Sequence, residues 1–190
     1  MIRLFAALAL PDEAADALET FQQGLDGADW RPREALHVTL KFAGDLREDL
    51  ADELASQLGQ ICGAPLFLDL AGAGAFGEGR DIHAVWARVT PTGPLLQLAQ
   101  ACEIAKQRAG LPAEVRAYTP HVTLAYLNRL PPQAVAHWLS FAGSLTVPGL
   151  RVDRFGLYSS WRGPDGSRYR LERSYPLDRR ADTASGAARA

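Results

Sequence analysis

The tetrapeptide His-Val-Thr-Leu occurs twice in this chain of 190 residues, at residues 37–40 and again at residues 121–124. Alternate side chains of a β-strand project from the same face, so each copy predicts one imidazole beside one hydroxyl. The valine and leucine of each copy would face the core. Two such strands facing each other would form a pocket with two proton-transfer groups and two small hydrogen-bond donors.

A pair of imidazoles suits acid–base catalysis near neutral pH, because the unperturbed pKa of histidine is about 6.5. One neutral ring accepts a proton from water, and one protonated ring gives a proton to a leaving oxygen. Each such group contributes about 10²–10⁴-fold to a rate. The hydroxyls of Thr39 and Thr123 would stabilise oxygens on which charge develops. Phosphodiester cleavage needs these parts and has no obligatory metal.

A metal site built on His37 and His121 is the main chemical alternative to acid–base catalysis. Neither copy of the motif has an adjacent carboxylate or a third ligand at a recognisable spacing. We therefore expect neither a metal nor another cofactor. His83 and His137 lie outside the repeat and are expected to be packing or surface residues.

The elements that position the motifs recur in the same order in both halves of the chain. Each half predicts a strand, a helix, a strand that begins with the histidine, a second helix and a further strand. In the first half the first strand spans residues 3–10 and a helix begins at Pro11. The histidine strand spans residues 37–43 with a break at Gly44, the second helix spans 47–61, and the further strand spans 66–70. In the second half the first strand spans residues 82–89 and the first helix spans 94–110. The histidine strand begins at His121, the second helix begins at Pro131, and further strands lie near residues 145–147, 150–158 and 168–175.

Two glycine-rich stretches are predicted as turns. Residues 72–79 lack the Lys-Ser/Thr ending of a phosphate-binding loop and are interpreted as a turn or loop. The Gly163-Pro164-Asp165-Gly166 sequence predicts a hairpin between the last two strands.

The repeated order predicts an internal duplication, with repeats over about residues 2–70 and 82–158. Two α+β lobes would pack about a pseudo-two-fold axis within one domain of residues 1–178, and the histidines would face each other across that axis. Residues 179–190 have no apolar period and are expected to form a loose tail.

The amino-acid composition excludes few classes of function. The net charge of −2 does not suggest a nucleic-acid binder, but residues 1–60 carry 12 acidic and 5 basic residues and the remainder carries 10 and 15. Of the 20 basic residues, 18 are arginine. Arginine suits bidentate phosphate contacts, and a GC-rich coding sequence also produces it, so both explanations stay open.

The two cysteines and the apolar runs indicate a cytoplasmic protein. Cys62 and Cys102 have no CxxC spacing, which argues against a disulfide scaffold or a thiolate zinc site. No apolar run approaches the roughly 20 residues of a membrane span. The apolar start over residues 1–10 is shorter than a secretory signal of about 15–30 residues and is interpreted as a strand.

The chain resembles the 2H phosphoesterases, a family named for two His-x-Thr/Ser motifs, over residues 1–178. It is most similar to the RNA 2′,3′-cyclic phosphodiesterase branch, also called 2′-5′ RNA ligase or LigT-like. The matching segments are residues 3–8, 36–44 and 119–125, together with 157–160, 169–171 and 175–177. The resemblance implies a bilobal α+β fold with an antiparallel sheet and helices in each lobe and a central cleft.

The resemblance also implies metal-independent hydrolysis of a 2′,3′-cyclic phosphate at an RNA end, leaving a terminal 2′-phosphate. His121 would be the proton acceptor that activates water, and His37 would be the proton donor to the leaving oxygen. Thr39 and Thr123 would hold the phosphoryl oxygens. Phe42 would stack on the terminal base or serve as a core residue. The partner would be RNA, including tRNA fragments, and the working form a monomer.

One position departs from the family pattern. Many members have an arginine that contacts the phosphate where this chain has Tyr126. Lys41, Arg116 or Arg129 would then supply the cation, and Tyr118 and Tyr126 complete the expected substrate contacts.

Three other functions stay open at this point. The same site would serve small cyclic nucleotides or an ADP-ribose cyclic phosphate, and it would also support reverse 2′-5′ ligation. A binding module for RNA ends that has lost catalysis is the non-enzymatic alternative, although binding alone does not require titratable groups in both motifs.

Overall fold

The computed structural model describes residues 1–163 and 166–178. The helices are α1 (Asp12–Glu19), α2 (Glu48–Leu58), α3 (Gly93–Arg108) and α4 (Pro132–Ala142). The strands are β1 (Ile2–Ala9), β2 (Asp29–Trp30), β3 (His37–Leu46), β4 (Leu66–Phe76), β5 (Ala84–Val89), β6 (His121–Tyr126), β7 (Thr146–Val152), β8 (Arg154–Gly163) and β9 (Gly166–Pro176). The predicted tail and the two central residues of the predicted hairpin turn lie outside the described residues.

The strands form one antiparallel sheet in the order β7-β4-β5-β6-β3-β1-β8-β9, and β2 pairs with the far end of β6. The predicted α+β class and the antiparallel pairing are confirmed. The two halves of the sheet, however, are joined, because β3 and β6 pair at Val38 and Val122. The two strands that carry the motifs are therefore neighbours at the middle of the sheet.

Each half of the sheet contains strands from both halves of the chain. Strand β4 follows α2 in the first predicted repeat but pairs with β5 and β7. Strand β8 follows α4 in the second repeat but pairs with β1 and β9. The predicted repeats therefore do not coincide with the two halves of the sheet, and the duplication itself stays a prediction.

Two glycines that were expected to interrupt strands lie within them. Strand β3 continues through Gly44 (φ 89°) to Leu46, and β4 continues through Gly72 (φ 77°) to Phe76. The predicted break at Gly44 and the predicted turn over residues 72–76 are wrong. A positive φ in a strand shifts the local register without ending the ladder, and the β4–β5 register shifts beside Gly72.

The core lies between the sheet and the helices. The alternate residues of the two motifs are fully buried: Val38, Leu40, Val122 and Leu124. Helix α3 packs against β3 and β4, and α2 packs against β1 and α3. Because β3 presents its apolar side to α3, its polar motif residues project from the opposite face.

A β-bulge at Leu40 changes which face the following residues occupy. On β1, Ala7 pairs with Thr39 and Ala6 pairs with Lys41, so Leu40 is the extra residue. Such a slip of one residue reverses the alternation of side chains. Lys41 consequently follows Leu40 to the helix face, where simple alternation would have placed it beside the histidine.

Lys41 joins a buried ion cluster on that face. Its Nζ lies 3.0 Å from Oε2 of Glu103, and Nζ of Lys106 lies 4.0 Å from the same atom. Oε1 of Glu103 accepts hydrogen bonds from Gln107 Nε2 (2.8 Å) and from the backbone N–H of Glu114 (3.0 Å). Burial acts to raise the pKa of Glu103, but these bonds outweigh it and lower the pKa to about 2. Lys41, expected to contact substrate, instead ties β3 to α3.

We predict that Glu103→Gln lowers the free energy of unfolding by about 3 kcal/mol, because it leaves two buried ammonium groups without a carboxylate. Glu53→Gln is the matched control: Glu53 also accepts a 2.8 Å bond from a glutamine four residues later, Gln57, but on an exposed face. The control is expected to change stability by less than about 0.5 kcal/mol. Urea unfolding of both variants measures the difference, and equal losses would contradict the buried cluster.

Candidate active site

The two histidines occupy equivalent backbone positions. His37 and His121 are the first residues of β3 and β6. Nδ1 of His37 lies 2.8 Å from the carbonyl oxygen of Ala35, and Nδ1 of His121 lies 2.6 Å from that of Thr119. A carbonyl oxygen only accepts hydrogen bonds, so Nδ1 carries the proton in each neutral ring. Each Nε2 is therefore left with the lone pair that accepts a proton.

The β3–β6 register brings the four predicted motif residues together. The strands pair at the central valines of the two motifs. Counting one residue outward from that antiparallel pair sets each histidine opposite the threonine of the other motif, and opposite residues project from the same face. The two pairs are His37 with Thr123 and His121 with Thr39. Among the described residues neither threonine hydroxyl has a hydrogen-bond partner, so both are available to a ligand.

Aromatic rings hold His37 in place. Its ring centroid lies 5.0 Å from that of Phe5 on β1 and 5.1 Å from that of Tyr169 on β9, the second contact being edge-to-face. Tyr158 on β8 stacks on Phe5 from the next strand at 5.5 Å. The imidazole thus has restricted freedom, and its surroundings are apolar.

His121 has an equivalent aromatic corner from other strands. The ring of Phe76, at the end of β4, lies edge-on at 4.8 Å, and that of Trp86 on β5 lies at 5.8 Å. Trp86 in turn covers Gly74 of β4, where a Cβ atom would lie only 2.3 Å from the indole ring. The absence of a side chain at Gly74 is what allows Trp86 to lie against the sheet.

The surroundings disfavour the charged form of both imidazoles. Burial lowers the pKa of His37 to about 4; the bond to Ala35 opposes this shift, and the positive charges of Arg31 and of protonated His121 add to it. Burial also lowers the pKa of His121, against the bond to Thr119. Both rings are therefore neutral at pH 7 in the free protein.

Arg31, which the sequence analysis did not single out, places a cation beside His37. The side chain is only 3% exposed. Its Nη2 donates a 3.1 Å bond to the carbonyl oxygen of Ser167, and its Nη1 lies 3.9 Å from Oδ2 of Asp29. The guanidinium lies 5.3 Å from the ring centre of Tyr126 and 5.9 Å from that of Tyr169. Positive charge is thus present next to position 126, but it comes from the loop after β2.

Arg88 is a second cation that the motifs did not indicate. It pairs with His121 in the β5–β6 register, so the two side chains share a face. Its guanidinium lies 5.5 Å from the ring centre of Trp86. Arg88 is exposed and forms no ion pair within the part of the chain that the structure describes. It is therefore free to meet an anion beside His121.

Phe42 and Tyr126 occupy equivalent places after the two motifs. Phe42 is exposed and its ring lies 5.7 Å from Phe5, on the side of the sheet that carries His37. Tyr126 is also exposed and lies over Arg31. Both predicted aromatic contacts thus border the histidines, and their roles toward substrate stay predictions.

The other predicted contacts lie elsewhere. The hydroxyl of Tyr118 is buried without a hydrogen-bond partner among the described residues, and burial raises its pKa. Tyr118 packs against the hydrophobic core, which includes the buried Cys102 of α3. Arg116 is exposed and pairs with Glu114 at 3.4 Å. Among the described residues neither side chain forms a hydrogen bond or a ring contact with His37 or His121, and their roles toward substrate stay predictions.

His83 and His137 are surface residues, as expected. Both are exposed. The ring of His83 stacks on that of Phe76 at a centroid distance of 6.4 Å. Within residues 1–163 and 166–178, no group of three histidine, cysteine, aspartate or glutamate side chains is arranged to hold a metal ion. None of the helices described there is long and apolar enough to cross a membrane.

Comparison with known families agrees with this arrangement. A family model described as the 2′-5′ RNA ligase superfamily matches residues 10–164, which include both motifs. The chain belongs to the 2′-5′ RNA ligase superfamily. The resemblance inferred from the two motifs is thereby confirmed.

Superfamily members of similar length match nearly the whole chain. An RNA 2′,3′-cyclic phosphodiesterase from Thermotoga maritima is 27% identical over 178 residues, covering 90% of this chain and 92% of the relative. A protein of the same name from Archaeoglobus fulgidus is 25% identical over 172 residues, covering 89% and 97%.

Solved structures of the superfamily share the fold. The protein TT0787 of Thermus thermophilus superposes with a TM-score of 0.72 at 26% identity, covering 92% of this chain and 97% of that one. E. coli LigT complexed with 3′-AMP gives a TM-score of 0.74 at 24% identity, covering 94% and 99%. The predicted LigT-like fold is therefore confirmed.

We predict that Gly74→Ala destabilises the protein by about 1–3 kcal/mol, because the new methyl group would overlap the rigid indole of Trp86. Gly93→Ala is the control: it lies at the start of α3, has no positive φ, and its Cβ would meet nothing within 4 Å. Urea unfolding measures both. Equal stability of the two variants would show that Trp86 does not depend on the missing side chain.

Proposed function

We propose that this chain hydrolyses 2′,3′-cyclic phosphate ends of RNA and leaves a terminal 2′-phosphate. Relatives that match about nine-tenths of the chain are named RNA 2′,3′-cyclic phosphodiesterase. The observation that carries the proposal is the β3–β6 register, which sets each histidine opposite the threonine of the other motif. Two oriented imidazoles, one to accept a proton and one to donate a proton, and two free hydroxyls are the parts that this hydrolysis requires.

The reaction follows from that arrangement. Nε2 of His121 takes a proton from water as the water oxygen attacks phosphorus, and the bond from phosphorus to O3′ breaks. Nε2–H of protonated His37 gives its proton to O3′, while Thr39 and Thr123 donate hydrogen bonds to the non-bridging oxygens. The near-symmetry of the site does not distinguish the acid from the base, so the assignment of the two roles rests on the family resemblance.

The cycle begins with one proton on His37, which is neutral in the free protein at pH 7. A bound phosphate diester carries a negative charge, and a nearby opposite charge favours the protonated imidazole. Substrate binding therefore favours the protonated form of His37, which acts as the acid. Arg31 opposes that protonation, and its charge makes protonated His37 a stronger proton donor to the leaving oxygen.

The finer parts of the proposal concern the biological setting. The protein acts as a monomer in the cytoplasm, where its two free cysteines stay reduced, and tRNA fragments are among its substrates. A 5′-hydroxyl that replaces the attacking water would give a 2′-5′ linkage, so the same groups support ligation as a side reaction.

The decisive test offers purified protein a short RNA that ends in a 2′,3′-cyclic phosphate, in EDTA, and identifies the product end. The wild type is expected to form a 2′-phosphate with undiminished rate in the chelator. His37→Ala and His121→Ala are each expected to lose about 10²–10⁴-fold in kcat, the contribution of one general acid or base.

His137→Ala is the control for that test, because this exposed histidine on α4 lies outside both motifs. Loss of wild-type activity in EDTA, or formation of a 3′-phosphate, would contradict the mechanism. Turnover of small cyclic phosphates alone would select the alternative substrate class, and RNA binding without any turnover would select the binding module.

The pH dependence offers a second test. Burial lowers the pKa of His37 to about 4 in the free protein and also lowers that of His121 below 6.5. The pair holds one proton only below about pH 6.5, and the form with that proton on His37 is the reactive one. We predict that kcat/KM falls as pH rises above about 6.5. The profile of kcat is expected to lie at higher pH, because the bound phosphate raises the pKa of both imidazoles. A kcat/KM that rises from pH 7 to pH 9 would contradict the proposal.

A further inference from the structure

A groove of about 570 Å³ opens beside the first histidine. Strand β2 and the loop that follows it form one wall, and the β8–β9 hairpin forms the other. Its chemistry is set by Trp30, Arg31, Glu34, Trp161, Arg168 and Tyr169. The substrate chemistry described above does not use this groove.

The groove shares a wall with the candidate active site. Tyr169 lines it and also contacts the ring of His37 edge-to-face at 5.1 Å. Ala35 lines it too, and the carbonyl oxygen of Ala35 accepts the Nδ1–H bond of His37. The charge of Arg31, which lies along the groove, acts on the pKa of His37. A molecule held at His37 therefore has direct access to the groove.

The chemistry of the reaction requires the RNA strand to leave on this side. In an in-line displacement the attacking water and the leaving oxygen lie on opposite sides of phosphorus. The leaving O3′ belongs to the terminal ribose, and the rest of the RNA is attached to that ribose. His37 meets O3′ and His121 meets the water, so the RNA extends from the His37 side.

The lining of the groove suits a nucleotide. Trp161 exposes 48% of its surface, and an exposed aromatic face is a platform on which any base stacks. Arg31 is buried and donates a hydrogen bond to the carbonyl oxygen of Ser167, and its ion pair with the exposed Asp29 is long, at 3.9 Å. This cation is poorly compensated, and a phosphate diester would compensate it. Glu34 is the acidic residue of the lining, and it is exposed.

We propose that this groove binds the nucleotide that precedes the cyclic phosphate end, with its base on Trp161 and the internucleotide phosphate near Arg31. The inference rests on the proposed function and deepens it, since it makes oligonucleotide ends, rather than cyclic mononucleotides, the substrate class of the site. A second cavity, of about 280 Å³, carries the carboxylates of Glu48, Asp52 and Glu172 and is the wrong charge for RNA.

The test compares kcat/KM for a 2′,3′-cyclic mononucleotide, a dinucleotide and a trinucleotide that end in the same cyclic nucleotide. The wild type is expected to prefer the dinucleotide over the mononucleotide by about 10-fold or more, with little further gain for the trinucleotide. Trp161→Ala is expected to remove most of that preference. Phe67→Ala is the control, because Phe67 is an exposed aromatic (58%) on β4, outside the groove, and its removal is expected to leave the preference unchanged.

Arg31→Met tests the phosphate contact. This variant is expected to weaken oligonucleotide binding and to reduce the slope of log affinity against log salt by about 1. Thermal unfolding of the variant checks that the loss does not come from misfolding. An unchanged salt slope in a folded variant would overturn the phosphate contact.

The outcomes separate the two proposals. Equal kcat/KM for mononucleotide and dinucleotide in the wild type would overturn the groove and leave the hydrolytic function intact. Absence of turnover for all three substrates would overturn the proposed function. Fluorescence anisotropy with RNAs that end in a 2′-phosphate would then test whether the groove binds a nucleotide. Tighter binding of the dinucleotide that is lost in Trp161→Ala supports the groove, and equal binding overturns it.

Discussion

The pairing of β3 with β6 at Val38 and Val122 is the constraint on which the whole arrangement depends. It joins the two halves of the sheet, and it fixes which residues of the two motifs are opposite each other. Both valines are fully buried, so a shift of one residue would expose them and bury the histidines. The hydrophobic alternation of the motifs therefore secures the register, and the register brings the imidazoles together.

A repeated β-bulge determines what surrounds the histidines. In β3 the bulge falls at Leu40, and in β6 it falls at Leu124, since Trp86 pairs with Thr123 and Val85 pairs with Ala125. In each strand the bulge turns the next side chain toward the helices and returns the following aromatic residue to the catalytic face. Phe42 and Tyr126 border the site for this reason, and Lys41 meets Glu103 for the same reason.

The sequence predicts the parts of this site that are local. The short-range pattern of the sequence predicts both histidines with their threonines, the strands that carry them, and the helices between the strands. Strict alternation cannot reveal a bulge, and Lys41, which was predicted to contact substrate, lies on the helix face with Glu103. Nor can it reveal long-range partners: Tyr169 reaches His37 from the last strand, and Arg31 reaches it from a loop. The placement of β4 beside β5, and of β8 and β9 beside β1, depends on pairing between segments that are distant in sequence, which no local window contains.

In the free protein, the charges around the candidate active site favour the binding of an anion. Both imidazoles are held neutral by burial, and a buried guanidinium has a carbonyl, two aromatic faces and a distant carboxylate as partners. The buried guanidinium costs stability, because buried charge is tolerated only when it is well compensated. In the proposed complex the cyclic phosphate would favour a proton on His37, and the internucleotide phosphate would neutralise Arg31. With tyrosine at position 126, the positive charge beside that position comes from Arg31, whose guanidinium lies 5.3 Å from the ring centre of Tyr126.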